Sequence, residues 1–304
     1  MKKFLINTSI FLVLAFLTVT GVFWEADGKT DPFYKRFTTD RQCSLILGTS
    51  RAAQSLLPEI FNSELNKVDF FNYSFTLGHS PYGPTYLKSI KKKLDHNSHD
   101  GVFIIAVDPW SISSKTVNPN DSLGFREVER ILGKTSLVNY HPNFEYLINS
   151  YNSQYLDILI GGSDKMILHE DGWLEVTVDM DSDKVAERIK NKINNYNNQN
   201  LLAYHYSSYR YDYLGKTISY LKNYGKVYLV RLPIHPKMFE IEKLLLNDFD
   251  YRMNMLSETH KIPYFNLTNK NSQFQYTDGN HLYKESGKEV SRLISALILE
   301  SQND

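Results

Sequence analysis

The sequence predicts an α/β protein, a three-layer α/β/α sandwich with a parallel five-stranded sheet, preceded by one N-terminal transmembrane helix. The sheet is predicted because apolar runs of strand length alternate with longer segments of helical periodicity. The transmembrane helix is predicted because one long uncharged run stands at the start of the chain. The chain has 304 residues, 42% hydrophobic and 22% charged, which suffices for a full core.

The N-terminal run covers residues 4–24, and at about 1.5 Å per residue it is long enough to cross a bilayer. Two lysines precede it, and two acidic residues follow within three positions. The positive-inside rule then predicts a single-pass protein of the bacterial inner membrane, with everything after residue 24 on the extracytoplasmic, periplasmic side. The alternative is a signal peptide whose cleavage would release a secreted protein, although no small-x-small cleavage site is evident near residues 18–24.

Residues 25–41 are predicted to be a juxtamembrane linker, and residues 42–304 one domain. Runs rich in aliphatic and aromatic residues predict strands at residues 43–48, 68–73, 101–107, 226–231 and 262–267. Helical periodicity predicts helices at residues 52–66, 82–96, 209–224, 237–259 and 285–300. Right-handed crossovers between parallel neighbours would place these helices on both faces of the sheet.

Residues 110–205 interrupt this alternation and are too long for a simple crossover. We interpret them as a partly helical insertion over the carboxyl edge of the sheet, where it would shape a ligand site. A surface elaboration that binds no ligand is the alternative.

The composition excludes several classes of function. With 34 basic and 34 acidic residues the net charge is zero, and no basic stripe with interleaved aromatic residues predicts binding to nucleic acid. Cys43 is the single cysteine, so neither an intramolecular disulfide nor a cysteine-based metal site is predicted. The sequence has no His-Glu-x-x-His cluster and no Gly-rich phosphate loop, so we expect no metal and no cofactor.

Ser50 ends the segment Gly48-Thr49-Ser50, at the turn between the first predicted strand and the next helix. A serine hydroxyl is a poor nucleophile at neutral pH and needs a base. In the tetrapeptide Asp278-Gly279-Asn280-His281, His281 can take the proton and Asp278 can orient the imidazole. Alone, Ser50 is typical of a helix cap and Asp278-Gly279 of a turn, but together they indicate nucleophilic catalysis at the carboxyl ends of the strands.

These segments resemble the SGNH, or GDSL-like, hydrolase superfamily. That family has its nucleophile in Gly-Asp-Ser after the first strand and an Asp-x-x-His near the C-terminus, matched here by Gly48-Thr49-Ser50 and Asp278-Gly279-Asn280-His281. The resemblance covers roughly residues 43–109 and 226–300. It implies an SGNH-hydrolase-like, flavodoxin-like fold and a catalytic triad of Ser50, His281 and Asp278.

The middle blocks depart from the family pattern. The family's Asn-x-Gly, which supplies a backbone N–H to the oxyanion hole, corresponds to Asn72-Tyr73-Ser74, so the Ser74 N–H is expected to donate instead. Asp108 stands where the family has an oxyanion-binding asparagine, and an ionised carboxylate there would repel an oxyanion. We therefore expect Asp108 to be protonated or to serve another purpose, and take Asn72, Ser74 and Asp108 as candidate oxyanion or substrate-binding residues.

Arg231 and His235 follow the fourth predicted strand, in residues 227–236, and would lie on the same edge of the sheet as Ser50. We expect them to bind a carboxylate or a sugar hydroxyl of the substrate. The alternative is that this loop, held by Pro233 and Pro236, only needs a polar surface.

The departures in the middle blocks and residues 227–236 resemble a divergent, membrane-associated branch of the superfamily. Its domains accompany membrane-bound O-acyltransferases in O-acetylation of cell-envelope polysaccharides or D-alanylation of teichoic acids. The resemblance implies an extracytoplasmic serine acyltransferase or esterase that acts on O-acyl groups, acetyl first among them, of cell-envelope polysaccharide. The alternative is a non-catalytic glycan-binding or assembly module that partners a membrane-bound O-acyltransferase.

Overall fold

A five-stranded parallel sheet forms the centre of the protein, as seen in a computed structural model that describes residues 1–66, 69–162 and 164–302. The strands in chain order are β1 (Ser44–Leu47), β2 (Phe70–Asn72), β3 (Gly101–Ala106), β4 (Ser113–Ser114), β5 (Met166–Leu168), β6 (Leu174–Val176), β7 (His205–Tyr206), β8 (Gly225–Arg231) and β9 (Tyr264–Asn266). The central sheet has the order β2-β1-β3-β8-β9, and every neighbouring pair in it is parallel. The predicted fold class is confirmed.

All five predicted strands are present, although each is slightly shorter than its apolar run or shifted by a residue. Residue 68, the first of the second predicted strand, lies outside the described residues. β1 and β3 are buried along their whole length, because helices cover both faces of the sheet. Successive side chains alternate between the two faces, so Leu45 and Ile105 join one hydrophobic cluster and Ile46 and Ile104 join the other.

The helices in chain order are α1 (Lys2–Trp24), α2 (Ser50–Ser55), α3 (Pro58–Glu64), α4 (Pro84–Lys93), α5 (Ile131–Lys134), α6 (Phe144–Asn149), α7 (Tyr155–Ile160), α8 (Ser182–Asn195), α9 (Leu201–Ala203), α10 (Ser208–Leu221), α11 (Pro236–Leu245), α12 (Phe249–His260) and α13 (Lys284–Glu300). Helices α2, α3 and α13 contribute to the cluster on one face of the sheet. Helices α4, α10 and α12 contribute to the cluster on the other. This arrangement is the predicted three-layer sandwich.

Two of the predicted helices are each divided into two. The helix expected at residues 52–66 breaks before Pro58, which begins α3 and lacks the N–H needed to continue α2. The helix expected at residues 237–259 breaks at Leu246, whose backbone is extended. These breaks matter because α2 carries Ser50 and α11 carries a carboxylate that lies behind it.

Helix α1 has 23 residues, and its most apolar window has a mean hydropathy of 2.1. It is long and apolar enough to span a membrane or to act as a signal sequence. The segment expected to be a linker, residues 25–41, is instead packed into the domain. Tyr34 and Phe37 belong to the core, and the buried Arg36 donates from Nε to the Asn72 carbonyl over 3.0 Å and from Nη2 to the Gly172 carbonyl over 2.6 Å. The domain therefore begins well before residue 42.

The insertion predicted at residues 110–205 folds into short elements on two sides of the domain. The hairpin of β5 and β6 covers the edge of the sheet, where the Asn72 N–H donates to the Asp171 carbonyl over 2.8 Å. Helix α8 lies at the carboxyl edge and ends in a π-helical turn, Tyr196–Asn200. The insertion thus protects an edge strand and also covers the place where the candidate site lies.

Candidate active site

Ser50 is the first residue of α2 and lies directly beyond the carboxyl end of β1. The turn between them needs Gly48, since a Cβ there would lie 2.9 Å from the Ala52 Cβ and 3.0 Å from the Ala106 Cβ. Thr49, at the N-cap, makes no side-chain hydrogen bond to the helix. The half-buried hydroxyl of Ser50 therefore stands at an uncapped helix N-terminus.

His281 and Asp278 reach Ser50 from the segment that precedes α13. The Ser50 Oγ lies 2.9 Å from the His281 Nε2, and the His281 Nδ1 lies 3.1 Å from each oxygen of Asp278. The same carboxylate accepts the backbone N–H groups of Asn280 and His281, both over 3.0 Å, which fixes it beneath the imidazole. With Nδ1 protonated toward Asp278, Nε2 is free to accept the serine proton.

Asp278 is held ionised. Burial raises the pKa of its carboxyl, but the charge and hydrogen bond of His281, followed by the charge of Lys192, hold that pKa well below its usual range. The Lys192 Nζ lies 3.0 Å from the Asp278 Oδ2 and comes from α8 in the insertion. From the same helix, Arg188 donates from Nε to the Thr277 carbonyl over 2.8 Å. The insertion therefore braces the segment that carries Asp278 and His281.

Arg51 lies beside Ser50 and is buried, contrary to the exposed position that a first-turn residue commonly takes. Its Nη1 lies 2.6 Å from the Glu242 Oε1, and its Nε and Nη2 donate to the Asn280 Oδ1 over 3.2 and 2.8 Å. Because the Asn280 oxygen is held by the guanidinium, its Nδ2 is directed toward the His281 Nε2, at 3.3 Å. An amide donor is thereby fixed close to the Ser50 hydroxyl.

Asn280 and Glu242 were not among the residues that the sequence singled out. Asn280 lies within the Asp-Gly-Asn-His tetrapeptide, so its position between two site residues was a usable signal. Glu242 lies in an ordinary amphipathic helix, and no local pattern distinguishes it from the exposed Glu240.

Asp108 lines a small cavity together with Ser50, Trp110 and Tyr196. Its Oδ1 accepts the Ser111 N–H over 2.9 Å, and its Oδ2 lies 3.7 Å from the Arg51 Nη1. Burial raises the pKa of the Asp108 carboxyl above its ordinary value, and the charge of Arg51 offsets this only in part. The carboxyl therefore caps the turn after β3 and also faces the space next to Ser50.

The expectation for Ser74 and Asn72 is not met. The Ser74 N–H donates to the Asn72 Oδ1 over 3.1 Å, and the Asn72 Nδ2 donates to the carbonyls of Ala52 and Leu56 over 2.9 and 2.8 Å. Both residues are fully buried. Their polar groups are used to fasten α2 to the strand beside it, so the Ser74 N–H is not available to an oxyanion.

Arg231 is the last residue of β8 and His235 lies four residues further on, so both are at the carboxyl edge, but they make internal contacts. The buried Arg231 lies 2.9 Å from the Glu242 Oε2 and 2.6 Å from the Asp250 Oδ2, so the expectation that it binds substrate is not met. The half-buried His235 accepts the Lys237 N–H at Nδ1 over 3.2 Å and caps α11. Burial, and then the charge of Lys237, lower the pKa of His235, which suits a neutral capping imidazole.

Among residues 1–66, 69–162 and 164–302, no group of three histidine, cysteine or acidic side chains is arranged to hold a metal ion. The cavity beside Ser50 has a volume of about 10 Å³, room for one water molecule at most.

Comparisons with known proteins add little to this geometry. No family model matches the sequence, and no curated protein matches it significantly. Two solved structures of an aryl esterase from M. smegmatis, one bound to an inhibitor and one native, are similar in chain path with TM-scores of 0.35 and 0.34. Their sequences are 10% and 11% identical to this one, and each match covers 84% of this chain and 99% of the esterase chain.

Proposed function

We propose that the protein is a serine esterase or O-acyltransferase that acts through an acyl-enzyme on Ser50. The observation that carries the proposal is the continuous chain of contacts from Ser50 Oγ to His281 Nε2 and from His281 Nδ1 to Asp278. A nucleophile, a base and a base-orienting carboxylate in that order are the parts that acyl transfer requires.

In the proposed reaction, the Ser50 Oγ attacks the carbonyl carbon of an ester while its proton passes to the His281 Nε2. The tetrahedral intermediate then breaks its bond to the alcohol, which leaves with the proton from His281. An acceptor hydroxyl, from a sugar or from water, attacks the acyl-enzyme in the second half, and its proton again passes through His281. Asp278 stabilises the imidazolium formed in each half and stays ionised.

For the oxyanion we propose two donors, the N–H of Ser50 and the Nδ2 amide of Asn280. The Ser50 N–H begins a helix that its N-cap residue, Thr49, does not cap, and the Asn280 amide is oriented by the guanidinium of Arg51. These replace the Ser74 N–H, which is already bonded. Asp108 also faces this space, and with its raised pKa it is the group whose protonation would remove a repulsive charge from the oxyanion.

We propose that the substrate is an O-acylated polysaccharide of the cell envelope, with acetyl as the first acyl group to test. Support comes from the resemblance of the end blocks to the SGNH superfamily and from the apolar helix α1, which would keep the domain at a membrane. A membrane-bound O-acyltransferase is the proposed partner, because the resemblance is to domains that accompany such enzymes. We place the domain on the extracytoplasmic side on the charge asymmetry around residues 4–24.

The first experiment is hydrolysis of p-nitrophenyl acetate by the full-length protein in detergent, with the wild type compared with Ser50→Ala and His281→Ala. Both variants are expected to lose activity by at least about 10³-fold, because each removes one residue of a proposed triad whose three members act together. A fluorophosphonate probe should label the wild type at Ser50 and leave Ser50→Ala unlabelled. Adding an acetylated glycan and an acceptor sugar then separates transfer from hydrolysis by product analysis.

Matched controls are available on the surface, where Ser208→Ala and His205→Ala remove the same groups from exposed positions. Both should retain wild-type activity. If Ser50→Ala hydrolyses the ester as fast as these controls do, the triad proposal is wrong.

A second candidate function is a non-catalytic glycan-binding or assembly module. Two observations favour it: the acidic Asp108 in the space proposed for the oxyanion, and the small volume of the cavity next to Ser50. This candidate is preferred if the folded wild type neither hydrolyses esters nor reacts with the probe, and if Ser50→Ala still supports polysaccharide modification in cells.

A further inference from the structure

Five large apolar or aromatic side chains stand exposed on α6 and α7, and we call this group the apolar shelf. Its members are Ile148, Tyr155, Leu156, Leu159 and Ile160, each between 46% and 71% exposed. On α7 they occupy one broad face, since Ile158 alone turns into the core. Contiguous apolar surface of this kind marks a contact site, whereas scattered exposed leucines do not.

The apolar shelf lies beside α1. The ring of Phe23 in α1 lies 5.2 Å from that of Tyr155 and 5.5 Å from that of Phe144. Further along α1, the ring of Phe16 stacks on Phe144 at 6.3 Å with an interplanar angle of 6°. Ile148 is four residues after Phe144 and therefore lies on the same face of α6. The shelf and the apolar surface of α1 are thus continuous.

Two contacts indicate the depth of the shelf: Phe23, next to Trp24, lies against Tyr155, and Phe16, deeper in α1, lies against Phe144 at the start of α6. Phe16 precedes Trp24, the last residue of α1, by two turns, which is about 12 Å along the helix axis. The hydrocarbon of one leaflet is about 15 Å thick, half of a typical bilayer core. If Trp24 lies at the membrane interface, as tryptophan prefers, then Phe144 and the start of α6 lie below that interface.

We propose that the apolar shelf is embedded in the leaflet of the bilayer that faces the domain, next to α1. Lipid is the favoured occupant because the shelf continues a helix whose most apolar window is wholly unburied by protein. The exposed Trp24 and Tyr140 are of the aromatic types found at membrane interfaces. Asp157, the one charged residue of α7, is occupied in accepting the Gln154 N–H over 3.0 Å.

The shelf would hold the domain in a fixed position on the membrane, in agreement with the packing of residues 25–41. Ala26 and Asp31 are buried immediately after α1, and Asp31 accepts the Tyr146 hydroxyl of α6 over 2.7 Å. The chain therefore passes from α1 into the core without a flexible stalk. This inference is independent of the proposed acyl transfer.

The test uses the full-length chain in vesicles of phosphatidylethanolamine and phosphatidylglycerol. Single cysteines are introduced by Leu156→Cys and Ile160→Cys in a Cys43→Ser background and labelled with a nitroxide. Collision rates are then measured with oxygen, which concentrates in lipid, and with a water-soluble nickel chelate. Leu14→Cys, in α1, is the lipid reference, and Leu244→Cys and Leu202→Cys, at exposed leucines of α11 and α9, are the aqueous references.

The expected result is an oxygen-to-nickel ratio at both shelf positions close to that at Leu14 and several-fold above that at Leu244 and Leu202. Ratios equal to those of the aqueous references would overturn the proposal. Labels that neither reagent reaches would also overturn it, because they would show that a second copy of the chain or another protein covers the shelf. None of these outcomes depends on esterase activity, so the two proposals fail separately.

Discussion

Two clusters of polar and charged side chains lie side by side at the carboxyl end of the sheet. They differ in whether their functional groups stay accessible or are paired within the protein. The first, the Ser50 row, consists of Ser50, His281 and Asp278. The second, the Arg51 cluster, consists of Arg51, Glu242, Arg231 and Asp250. In the Ser50 row the hydroxyl is half-buried, and the row ends at a cavity. In the Arg51 cluster each guanidinium pairs with a carboxylate within 2.9 Å.

The difference shows that residue type and position along a strand do not decide a role. Arg231 ends β8 and Ser50 follows β1 at the same edge of the sheet, yet the guanidinium of Arg231 forms ion pairs with Glu242 and Asp250. The Ser50 hydroxyl instead lies 2.9 Å from the imidazole Nε2 of His281. Removal of one partner from a buried ion cluster of this kind strongly destabilises the fold, whereas the Ser50 row is proposed to exchange a proton. Substitutions in the Ser50 row should therefore affect mainly the rate of ester hydrolysis, and substitutions in the Arg51 cluster mainly the free energy of unfolding.

The largest effect is expected from Asp278→Asn in the Ser50 row. It keeps the shape of the side chain but removes the charge that orients and stabilises His281, so kcat should fall by about 10³- to 10⁴-fold. The measurement is ester hydrolysis by the full-length protein, with the unfolding midpoint recorded in parallel. Lys192→Met is the control, because it removes the neighbouring cation and keeps the carboxylate. Full activity in Asp278→Asn would show that this carboxylate does not serve the base.

The counterpart in the Arg51 cluster is Glu242→Gln. Glu242 is fully buried and lies 2.6 Å from Arg51 and 2.9 Å from Arg231, so its neutralisation leaves two buried cations without their shared anion. The free energy of unfolding should fall by about 3–5 kcal/mol, measured as denaturation of the full chain.

The matched control is Glu240→Gln on the same helix. Glu240 pairs with Lys243 at 2.8 Å in an exposed position, and its loss should cost no more than about 1 kcal/mol. Equal effects of the two substitutions would mean that burial does not distinguish the Arg51 cluster from a surface pair.

The sequence was sufficient for the sheet, because its strands are buried on both faces and appear as apolar runs. It did not predict the breaks within two helices, which depend on Pro58 and on the extended backbone of Leu246. It also did not predict that residues 25–41 are part of the core. A stretch with charged residues such as Arg36 looks like a linker unless its carbonyl partners, Asn72 and Gly172, are known.

For the site, the sequence selected Ser50, Asp278 and His281, which the structure brings into contact. Their catalytic role stays a prediction. It also selected Ser74, whose N–H is bonded to Asn72, and Arg231, whose Nη1 and Nη2 pair with Asp250 and Glu242. Whether a selected residue contacts the site or is bonded elsewhere in the protein depends on long-range contacts, which no local sequence pattern encodes.

A smaller effect on the rate of ester hydrolysis is expected from Asn280→Ala. Asn280 lies between the two clusters. The proposed loss of one oxyanion donor should lower kcat by about 10²- to 10³-fold with little change in KM. The reactivity of Ser50 toward the fluorophosphonate probe should fall in parallel. Because Arg51 would also lose an acceptor, the unfolding midpoint is measured alongside. A loss of stability with kcat unchanged would assign Asn280 to the Arg51 cluster alone.

The smallest effect is expected from Asp108→Asn, at the carboxyl that touches Arg51 and faces Ser50. Burial raises the folded-state pKa of Asp108, so above the unfolded value of about 3.9 the folded protein binds more protons than the unfolded chain. Stability should then fall as pH rises through the folded pKa. The variant removes that dependence, so its unfolding midpoint should exceed that of the wild type by a margin that grows as pH rises from about 4 and becomes constant above the folded pKa.

Asp278 has the opposite sign, which makes it the control for this pH series. Its pKa is held low, so it contributes stability above about pH 4 that is lost as the solution is acidified. Asp278→Asn should therefore lose stability relative to the wild type at neutral pH and converge with it in acid. If the unfolding midpoint of Asp108→Asn changes with pH as that of Asp278→Asn does, then the charge of Arg51 rather than burial sets the pKa of Asp108. This carboxylate would then be an ion-paired member of the Arg51 cluster. If Asp108→Asn follows the opposite course, Asp108 is the strained group of the Ser50 row, and its neutralisation should also raise the rate of ester hydrolysis.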